Sequence, residues 1–370
     1  MKIIISSNVI WTIVNFRDEL ILALKRKGHE VVCVAARDSF SESSQELIDR
    51  LGARFVPITL DRKGINPFYD FAYLFQLWRV YREERPDVVF HFTPKPNIYG
   101  TIAAKILGIP SINTLNGLGS GILRGGFLAN VIQKMYRFSL KYSSKVFFQN
   151  LEDLQLFVSK GIVSADKCSH VPGSGVNIRR FDGCESSKNR NDKLTFLMVS
   201  RLLKDKGIYE YIEACRMFGK GVHCLLAGVL DPGNPSAISS EDLQSWIDEG
   251  VVEYLGHTDK IKEFFALADV IVLPSYREGL SRVLLEAASC RKPIVTTDVP
   301  GCREIVIKGE SGQICPPADA YSLFLAMSEM MKSKNRLYQM GERGRDHIVR
   351  HYSAEQVNQI YLDAMEALKR

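Results

Sequence analysis

The sequence lacks several patterns that mark common classes of nucleotide-binding protein. Residues 6–15, which follow the first apolar run, contain no glycine, so the Gly-x-Gly-x-x-Gly turn of a nicotinamide dehydrogenase is absent there. The chain also has no Walker sequence and no Asp-x-Asp pair that would hold a divalent cation against a diphosphate. We therefore expect no cofactor and no metal, and we expect side chains or backbone amides to neutralise any bound phosphate.

Long hydrophobic runs and paired cysteines are missing as well. The apolar stretch after Met1 is too short for a signal peptide, and no uninterrupted apolar span is long enough to cross a bilayer. The eight cysteines include no Cys-x-x-Cys pair and form no compact framework, which predicts reduced and mostly packed thiols. We therefore expect a cytoplasmic protein that is either free or peripheral on a membrane.

The charge balance is mildly basic. The chain has 48 lysines and arginines against 42 aspartates and glutamates, a net charge of +6. This excess favours anionic partners such as nucleotide sugars and anionic lipid head groups. No arginine-rich arm or zinc-ligand spacing is present, and no basic run is interleaved with aromatic residues in the way that a platform for a nucleic-acid strand requires. Nucleic acid is therefore not an expected partner.

Strand-like and helix-like runs alternate from the first residue. Apolar, β-branched runs at 2–6, 30–35 and 88–91 are separated by helical patterns that include 16–27 and 68–82. This repeated β-α-β order predicts a parallel sheet with helices on both faces, which gathers ligands at the carboxyl ends of its strands. At 370 residues the chain is longer than one usual core, so two such domains are expected.

The alternation pauses in one polar segment and then restarts. We predict a first domain at 1–172, a linker at 173–193 and a second doubly wound domain at 194–353. The last segment, 354–370, has apolar residues at helical spacing. It is therefore predicted to form a helix that crosses back to the first domain and covers part of it.

A glycine turn between two acids is the most informative motif. Residues 268–274 predict a buried strand, and the turn that follows places Glu278 and Glu286 on either side of Gly279. The glycine allows close backbone approach, Ser281 is a candidate helix cap, and amides of the first helical turn suit a phosphate. Two interpretations stay open: carboxylates that bind sugar hydroxyls, or a solvated loop acid and a surface helix acid.

Two basic residues follow another predicted strand of the second domain. Residues 195–200 form a buried apolar run, and Arg201 and Lys206 lie in the turn after it. A guanidinium can donate two parallel hydrogen bonds to phosphate oxygens, and an ammonium on a flexible side chain adds a point charge. The alternative is surface charge paired with Asp205.

The first domain offers candidate acceptor-side residues after its strands. Lys95 is placed to meet an acceptor phosphate, and Asn116 is placed to orient a sugar hydroxyl. The alternative is that the prolines and glycines of these two segments only shape tight turns. His91 is interpreted as a packed strand residue rather than a base.

Aromatic and basic residues cluster in segments 66–82 and 123–137. Part of each segment is expected to be helix core, and an exposed part would suit an anionic membrane surface and a lipid-borne acceptor. Basic residues in and just after the second segment recur at helical spacings: Lys134, Arg137, Lys141 and Lys145.

Taken together, the chain resembles glycosyltransferases of family 4, which have the two-domain GT-B fold, over nearly its whole length. Four ordered segments of the second domain resemble the family's donor site: Ser200–Gly207, Tyr254–Asp259, Ala268–Gly279 and Lys292–Glu304. The resemblance implies two Rossmann-like domains with a cleft between them. A closer likeness, through Lys95–Gly100 and Asn116–Gly119, is to the bacterial subgroup that extends undecaprenyl-diphosphate-linked sugars.

That resemblance implies roles for particular residues. Arg201 and Lys206 would bind the donor diphosphate and ease its departure, Glu278 would bind the sugar hydroxyls and Glu286 the ribose. The remaining implied donor residues are Leu255, Gly256 and His257 at the base, with the amides of Gly279 and Leu280 at the phosphate or sugar. The acceptor side would comprise Asn15, Arg17, Lys95, Asn97 and Asn116. Many family members carry histidine where Asn116 stands.

The implied activity is metal-independent transfer with retained anomeric configuration. The donor would be a UDP-sugar, most simply of N-acetylgalactosamine or a related N-acetylhexosamine, and the acceptor a polyprenyl-diphosphate-linked saccharide at the inner face of the membrane. Two alternatives are a UDP-N-acetylglucosamine epimerase of the same fold and a non-catalytic, membrane-associated nucleotide-sugar-binding protein. Turnover of the donor alone would indicate the epimerase.

Overall fold

The computed structural model describes residues 1–38, 41–61, 66–117, 126–184, 193–258 and 260–368. The chain divides into two compact units. Unit 1 comprises Met1–Ser174 together with Ala354–Arg370, and unit 2 comprises Gly175–Ser353.

Unit 1 is built on a seven-stranded sheet whose described strands pair in parallel. The strands are β1 (Lys2–Val9), β2 (Glu30–Ala36), β3 (Arg54–Ile58), β4 (Val88–Phe92), β5 (Ser111–Leu115), β6 (Lys145–Phe148) and β7 (Cys168–His170). The helices are α1 (Ile10–Phe16), α2 (Asp18–Arg26), α3 (Ser41–Arg50), α4 (Pro67–Glu84), α5 (Thr101–Ile106), α6 (Gly126–Leu140) and α7 (Leu151–Ser159). A π-helical turn at Pro96–Gly100 precedes α5.

Alternating side chains of the central strands bury against different helices. Ile3 and Ile5 of β1 belong to one hydrophobic cluster, whereas Ile4 belongs to another that contains Leu77 and Tyr81 of α4. Because successive side chains of a strand point to opposite faces, helices cover both faces of this sheet. The strand order is β3-β2-β1-β4-β5-β6-β7. Strands β2 and β3 are therefore added on one side of β1 and strands β4 to β7 on the other, so the order of strand addition reverses between β1 and β4.

The C-terminal helix α14 (Ala354–Ala367) packs within unit 1. Val357, Tyr361 and Met365 are fully buried in the cluster that contains Ile3 and Ile5. The Tyr361 ring makes edge contacts with Phe90, Phe92 and Phe147. The apolar spacing of this segment therefore corresponds to a helix that covers one face of the first sheet.

Unit 2 is built on a six-stranded sheet whose described strands also pair in parallel. The strands are β8 (Thr195–Val199), β9 (His223–Ala227), β10 (Glu253–Tyr254), β11 (Val270–Leu273), β12 (Ile294–Thr297) and β13 (Gly312–Cys315). The helices are α8 (Ile208–Phe218), α9 (Ser240–Asp248), α10 (Ile261–Leu267), α11 (Arg282–Ser289), α12 (Ala320–Glu329) and α13 (Lys334–His351).

In the second sheet the order of strand addition reverses between β8 and β11, because the strand order is β10-β9-β8-β11-β12-β13. In an open parallel sheet, the loops on either side of such a reversal diverge and leave room for a ligand at the carboxyl ends of the strands. The predicted α/β class, with two doubly wound units, is therefore confirmed.

The first part of the polar segment predicted as a linker at 173–193 packs into unit 2. Val176 and Phe181 are buried in the core of unit 2, and the Val176 amide donates to the Tyr352 carbonyl over 3.0 Å. Two isolated apolar residues in a polar run were not enough to predict this packing. Residues 185–192 of the segment lie outside the described residues.

The expectation of reduced cysteines throughout is wrong for one pair. Cys184 and Cys290 are joined as a disulfide, with their Cα atoms 5.2 Å apart and 106 residues between them in sequence. Such a pairing depends on tertiary proximity, which cysteine spacing does not reveal. The other cysteines are free thiols, and all but the half-buried Cys168 are buried. No helix in the described part of the chain is both long and apolar enough to cross a membrane.

Candidate active site

The candidate donor site lies at the carboxyl ends of β8 and β11, at the reversal point of the second sheet. Gly207 follows β8 with φ of +75°, and a Cβ built on it would lie 2.1 Å from the Pro274 carbonyl oxygen. The Tyr276 amide donates to the Asp205 carbonyl over 2.9 Å. Glycine is therefore required where the two loops touch, because any side chain would separate them.

An ion pair joins these two loops. Lys206 Nζ lies 2.5 Å from Glu278 Oε1, and the buried Ser275 hydroxyl donates to the same oxygen over 2.8 Å. The Lys206 and Glu278 side chains are 15% and 17% exposed. The structure thus brings both predicted residues together, with opposite charges, at a partly desolvated point. There the Lys206 ammonium is suited to bind a phosphate and the Glu278 carboxylate is suited to accept hydrogen bonds from hydroxyls.

The loop after β12 completes this arrangement. Gly301 has φ of +79°, and a Cβ there would lie 2.6 Å from the Glu278 carbonyl oxygen. The Glu278 amide donates to the Pro300 carbonyl over 3.1 Å, and the Ser281 amide donates to the Gly301 carbonyl over 2.8 Å. Ser281 is the N-cap of α11, but its side chain makes no capping bond. The β12 loop therefore fixes the backbone on both sides of the glycine turn.

Glu304 ends the fourth donor-like segment, but the sequence interpretation gave it no role in the site. Its Oε2 accepts the Gly301 amide over 2.8 Å. Its carbonyl oxygen accepts His347 Nε2 over 3.0 Å and the Tyr352 hydroxyl over 2.8 Å. A carboxylate three residues after a glycine loop is a possible sequence signal, but its partner amide is identified only in three dimensions.

Glu286 is buried on α11 rather than solvated on the surface. Its Oε1 accepts Arg282 Nε over 2.7 Å, one helical turn earlier. Both side chains are largely buried, so the surface-acid interpretation is excluded for Glu286. A carboxylate that is ion-paired in this way can still accept further hydrogen bonds, because each of its oxygens has more than one lone pair.

Arg201 occupies a different environment from Lys206. Its side chain is 56% exposed, and its Nη1 lies 3.7 Å from Asp231 Oδ2. Gly228, at φ of +145°, packs so closely that a Cβ would lie 1.7 Å from the carbonyl oxygen of Ser200, the residue before Arg201. The loops after β8 and β9 are therefore in direct contact at Arg201, and the guanidinium points to a solvent-accessible edge.

The predicted base-lining segment is tied to the same loops. The Gly228 amide donates to the Gly256 carbonyl over 2.8 Å, and the Leu255 amide donates to the Leu226 carbonyl over 2.8 Å. Leu255 and Gly256 are half-buried and His257 is exposed. Gly279 and Leu280 are half-buried as well. The described residues contain no cluster of three or more His, Cys, Asp or Glu arranged to hold a metal ion.

In unit 1, two predicted acceptor residues meet at the carboxyl edge of the first sheet. Arg17 is buried, its guanidinium lies 3.9 Å from the centre of the Phe92 ring, and its Nη2 donates to Asn116 Oδ1 over 3.2 Å. Gln149, which the sequence interpretation missed, donates to the same oxygen over 3.0 Å. Phe92, Asn116 and Gln149 stand at the ends of β4, β5 and β6, so a polar group is built across three neighbouring strands.

The other predicted acceptor residues make bonds within unit 1. Lys95 Nζ lies 2.6 Å from Asp70 Oδ1 and donates to the Asp61 carbonyl over 2.7 Å. Asn97 is buried, and its side-chain Nδ2 donates to the Thr114 carbonyl over 2.8 Å. The side-chain Nδ2 of Asn15 donates to the Trp11 carbonyl. The glycine segment 118–121 after Asn116 lies outside the described residues.

Thr93 is a strained residue at the reversal point of the first sheet. Its φ is +76°, which is unusual for a β-branched side chain. Its hydroxyl accepts the Asn8 amide over 2.9 Å and donates to Asn8 Oδ1 over 3.0 Å. These bonds hold the ends of β1 and β4 together. His91, two residues earlier, is fully buried, and burial lowers its pKa to about 3, so it packs as a neutral ring.

Comparison with known proteins identifies the family. The sequence profile of the family described as Glycosyl transferases group 1 matches residues 184–347, and that of Glycosyl transferase 4-like matches residues 2–150. The N,N'-diacetylbacillosaminyl-diphospho-undecaprenol alpha-1,3-N-acetylgalactosaminyltransferase of Campylobacter jejuni is 30% identical over 338 residues, 87% of each chain.

Two further relatives support this identification. The UDP-Gal:alpha-D-GlcNAc-diphosphoundecaprenol alpha-1,3-galactosyltransferase of Escherichia coli is 24% identical, over 86% of this chain and 85% of its own length. The crystal structure of Anabaena Alr3699/HepE in complex with UDP and glucose superposes with a TM-score of 0.81 over 99% of both chains, at 17% identity. The first relative shares sequence, and the second shares the GT-B fold. The chain therefore belongs to the family 4 glycosyltransferases, and it is a glycosyltransferase with a GT-B fold.

Proposed function

We propose that this glycosyltransferase moves a sugar from a UDP-sugar to an undecaprenyl-diphosphate-linked saccharide in the assembly of a bacterial glycan. The sugar is N-acetylgalactosamine or a related N-acetylhexosamine, and its anomeric configuration is retained. The observation that carries the proposal is the Lys206–Glu278 pair at the reversal point of unit 2, in a chain related over 87% of its length to the Campylobacter enzyme.

The ion pair suggests how the donor is received. Without donor, Lys206 and Glu278 neutralise each other at 2.5 Å. A bound diphosphate brings its own negative charge to the Lys206 ammonium, and this frees the Glu278 carboxylate to accept hydrogen bonds from the sugar hydroxyls. Buried Ser275 holds that carboxylate in place during the exchange. Glu286 is expected to bind the ribose hydroxyls from α11.

The chemical step requires stabilisation of the departing diphosphate. Lys206, Arg201 and the amides at the start of α11 are the groups proposed to meet its developing charge. Since these groups are fixed by protein loops, no metal is needed in the proposal and no cofactor takes part. The acceptor hydroxyl oxygen bonds to the anomeric carbon on the face from which the diphosphate leaves, and the hydroxyl proton passes to the departing diphosphate oxygen. The product therefore keeps the configuration of the donor.

The acceptor side is proposed to lie in unit 1, around Arg17 and Asn116. Their shared contact, with Gln149 as a third member, places a cation and two amides at one sheet edge. A lipid-linked diphosphate and its first sugar would find there the donors that such groups need. Because that acceptor is membrane-borne, the protein is expected to be cytoplasmic and peripheral on the inner face of the membrane.

The test is a matrix of UDP-sugars against lipid-linked acceptors, with the purified full chain and with EDTA present in half of the reactions. We expect one N-acetylhexosamine donor to give UDP and an extended lipid by mass spectrometry, equally with and without EDTA. Proton NMR of the product should give the small anomeric coupling of an α-linkage from an α-linked donor.

Four outcomes would contradict parts of this proposal. Conversion of a UDP-sugar to an epimer without any acceptor would replace the transferase by an epimerase. A β-linked product from an α-linked donor would contradict retention of the anomeric configuration. Loss of turnover in EDTA would contradict metal independence. Donor binding without any product across the whole acceptor panel would favour the non-catalytic alternative.

A further inference from the structure

Basic charge is concentrated in one part of the molecule. Unit 1 carries the entire net charge of +6, because unit 2 has equal numbers of basic and acidic residues. Within unit 1, residues 88–151 contain no aspartate or glutamate. The seven basic residues of that stretch are Lys95, Lys105, Arg124, Lys134, Arg137, Lys141 and Lys145. A stretch that includes three central strands is thus free of negative side chains.

The helix α6 lies within this acid-free stretch and has one face in the core and one in solvent. Ala129, Tyr136 and Leu140 are buried, and Tyr136 and Leu140 belong to a cluster that also contains Ile98. The solvent face, continued one turn past the helix, carries both apolar and basic exposed side chains: Phe127, Leu128, Lys134, Arg137, Phe138, Lys141 and Tyr142. Phe127 is 86% exposed, so the fold itself gains little from it.

At the C-terminal end of α6, lysines stack over the exposed rings. Lys141 Nζ lies 4.9 Å from the Phe138 ring centre and 4.7 Å from that of Tyr142. Lys105 Nζ, at the end of α5, lies 5.5 Å from the Tyr142 ring, beside the exposed Ile106. Lysine stems over aromatic rings, with charged ends at the rim, suit an interface that is apolar on one side and anionic on the other.

A second exposed apolar element contacts the same π-helical turn as α6. The first turns of α4 carry Phe68 and Phe71, which are 85% and 69% exposed. Asp70, between them, accepts Lys95 Nζ and the Tyr99 hydroxyl, which ties α4 to the π-helical turn 96–100. The same turn contributes Ile98 to the cluster that receives α6. Two helices that contact this turn therefore present exposed aromatic residues.

We propose that the solvent face of α6, defined by Phe127, Leu128, Lys134, Phe138, Lys141 and Tyr142, docks onto an anionic bilayer. The helix lies along the surface, its rings enter the interfacial region and its lysines contact lipid phosphates. This deepens the proposed function, since a lipid-linked acceptor is met at such a surface, but it rests on the charge and exposure of unit 1.

A bilayer fits this face better than a nucleic acid. Phosphate binding alone would be served by the lysines, whereas the exposed aliphatic side chains of Leu128 and Ile106 have no role in a polyanion contact. Aliphatic and aromatic side chains beside lysines match the boundary between head groups and acyl chains. Lys167 Nζ donates to the Lys141 carbonyl over 2.6 Å, so a further basic side chain lies at the end of α6. Asp166 precedes that lysine in sequence.

The experiment measures binding of the full chain to lipid vesicles by flotation, with no donor or acceptor present. Vesicles of phosphatidylcholine are compared with vesicles containing 30 mol% phosphatidylglycerol, at low and high salt. We expect binding to the anionic vesicles only, weakened by salt. Lys134→Gln and Lys141→Gln should each weaken binding by about fivefold, the effect of one lysine at an anionic surface.

The ring contribution is tested separately. Phe127→Ser with Phe138→Ser should reduce binding at all salt concentrations, because apolar insertion is not screened. Matched controls are Tyr338→Ser and Lys220→Gln, which change exposed residues of unit 2. These controls should bind as the unchanged protein does, and thermal melting should verify that every variant is folded.

Unchanged vesicle binding in the α6 variants, equal losses in the unit 2 controls, or preferential binding to single-stranded RNA would each overturn the docking proposal. The proposed function is judged by a different assay, transfer to a short-chain acceptor analogue in solution. The α6 variants should retain that activity. Failure of transfer in the unchanged protein, with vesicle binding intact, would contradict the function and leave the docking face in place.

Discussion

The two units use the polar residues at their strand ends in different ways. In unit 2, Lys206 and Glu278 face each other across the sheet reversal and are held there by glycines of neighbouring loops. In unit 1, Lys95 and Asn97 also follow a strand, yet they bond to Asp70 and to the Thr114 carbonyl. The Lys206 and Lys95 side chains are equally buried, at 15% exposed, and each pairs with a carboxylate. The difference is the position of the partner, because Glu278 lies on another loop at the carboxyl edge of the same sheet whereas Asp70 lies on α4.

The strongest test of this comparison removes the pair in unit 2. Lys206→Ala and Glu278→Ala should each lower kcat by about two to three orders of magnitude, because each removes a charge that contacts the donor. The double variant should fall little further, since the two residues act as one unit. Steady-state kinetics with the productive donor measures this. Glu310→Gln, an exposed acid of the same unit, is the control that should keep full activity.

The next test addresses the loop that holds Glu278. Gly301→Ala places a Cβ 2.6 Å from the Glu278 carbonyl, whereas Gly309→Ala, at nearly the same φ, has nothing within 4 Å of its Cβ. Both should lose about 1 kcal/mol of unfolding free energy from the positive φ. Only Gly301→Ala should also displace Glu278 and lower kcat, by about tenfold or more. Equal activities in the two variants would contradict the role of this loop.

A smaller effect is expected from the exposed member of the group in unit 1. Asn116→Ala removes the oxygen that Arg17 and Gln149 share, so the acceptor KM should rise by about tenfold from loss of an ordered polar contact. The donor KM should not change. Gln359→Ala, which removes an exposed amide of α14, serves as the control. A rise in the donor KM instead would assign Asn116 to the donor.

The smallest kinetic effect is expected at Lys95. Lys95→Met breaks a partly buried pair with Asp70, and denaturant unfolding should show a loss of about 1–3 kcal/mol from the unpaired carboxylate. Adding Asp70→Asn should recover much of that loss, because no charge then lies unpaired. The acceptor KM should stay the same in both variants. An increased KM with unchanged stability would make Lys95 a ligand and weaken the contrast between the units.

The features that the sequence predicts are those set by local pattern. Alternating β and α runs gave the two parallel sheets, and the apolar spacing of Val357, Tyr361 and Met365 gave a helix with a buried face. The turn around Gly279 marked Glu278, because a strand, a glycine and a helix follow one another within a short stretch. In these cases the sequence neighbours are also the spatial neighbours.

The remaining features depend on contacts between distant segments. Glu304 matters through the Gly301 amide and Tyr352, Gln149 through Asn116, and Cys184 through Cys290. None of these partners is adjacent in a local pattern. The same holds for Lys95 and Asn97, because the sequence does not reveal that their side chains bond to Asp70 and to the Thr114 carbonyl.

The central claim is that Lys206 carries the charge that receives the donor diphosphate, with Glu278 as its partner. The most direct measurement is calorimetric titration of UDP into the unchanged protein, Lys206→Ala and Glu278→Ala. The account predicts that the Kd for UDP rises by about tenfold or more in Lys206→Ala, from loss of a charge-assisted phosphate contact. It predicts a Kd no weaker than that of the unchanged protein in Glu278→Ala. An unchanged Kd in Lys206→Ala would contradict it.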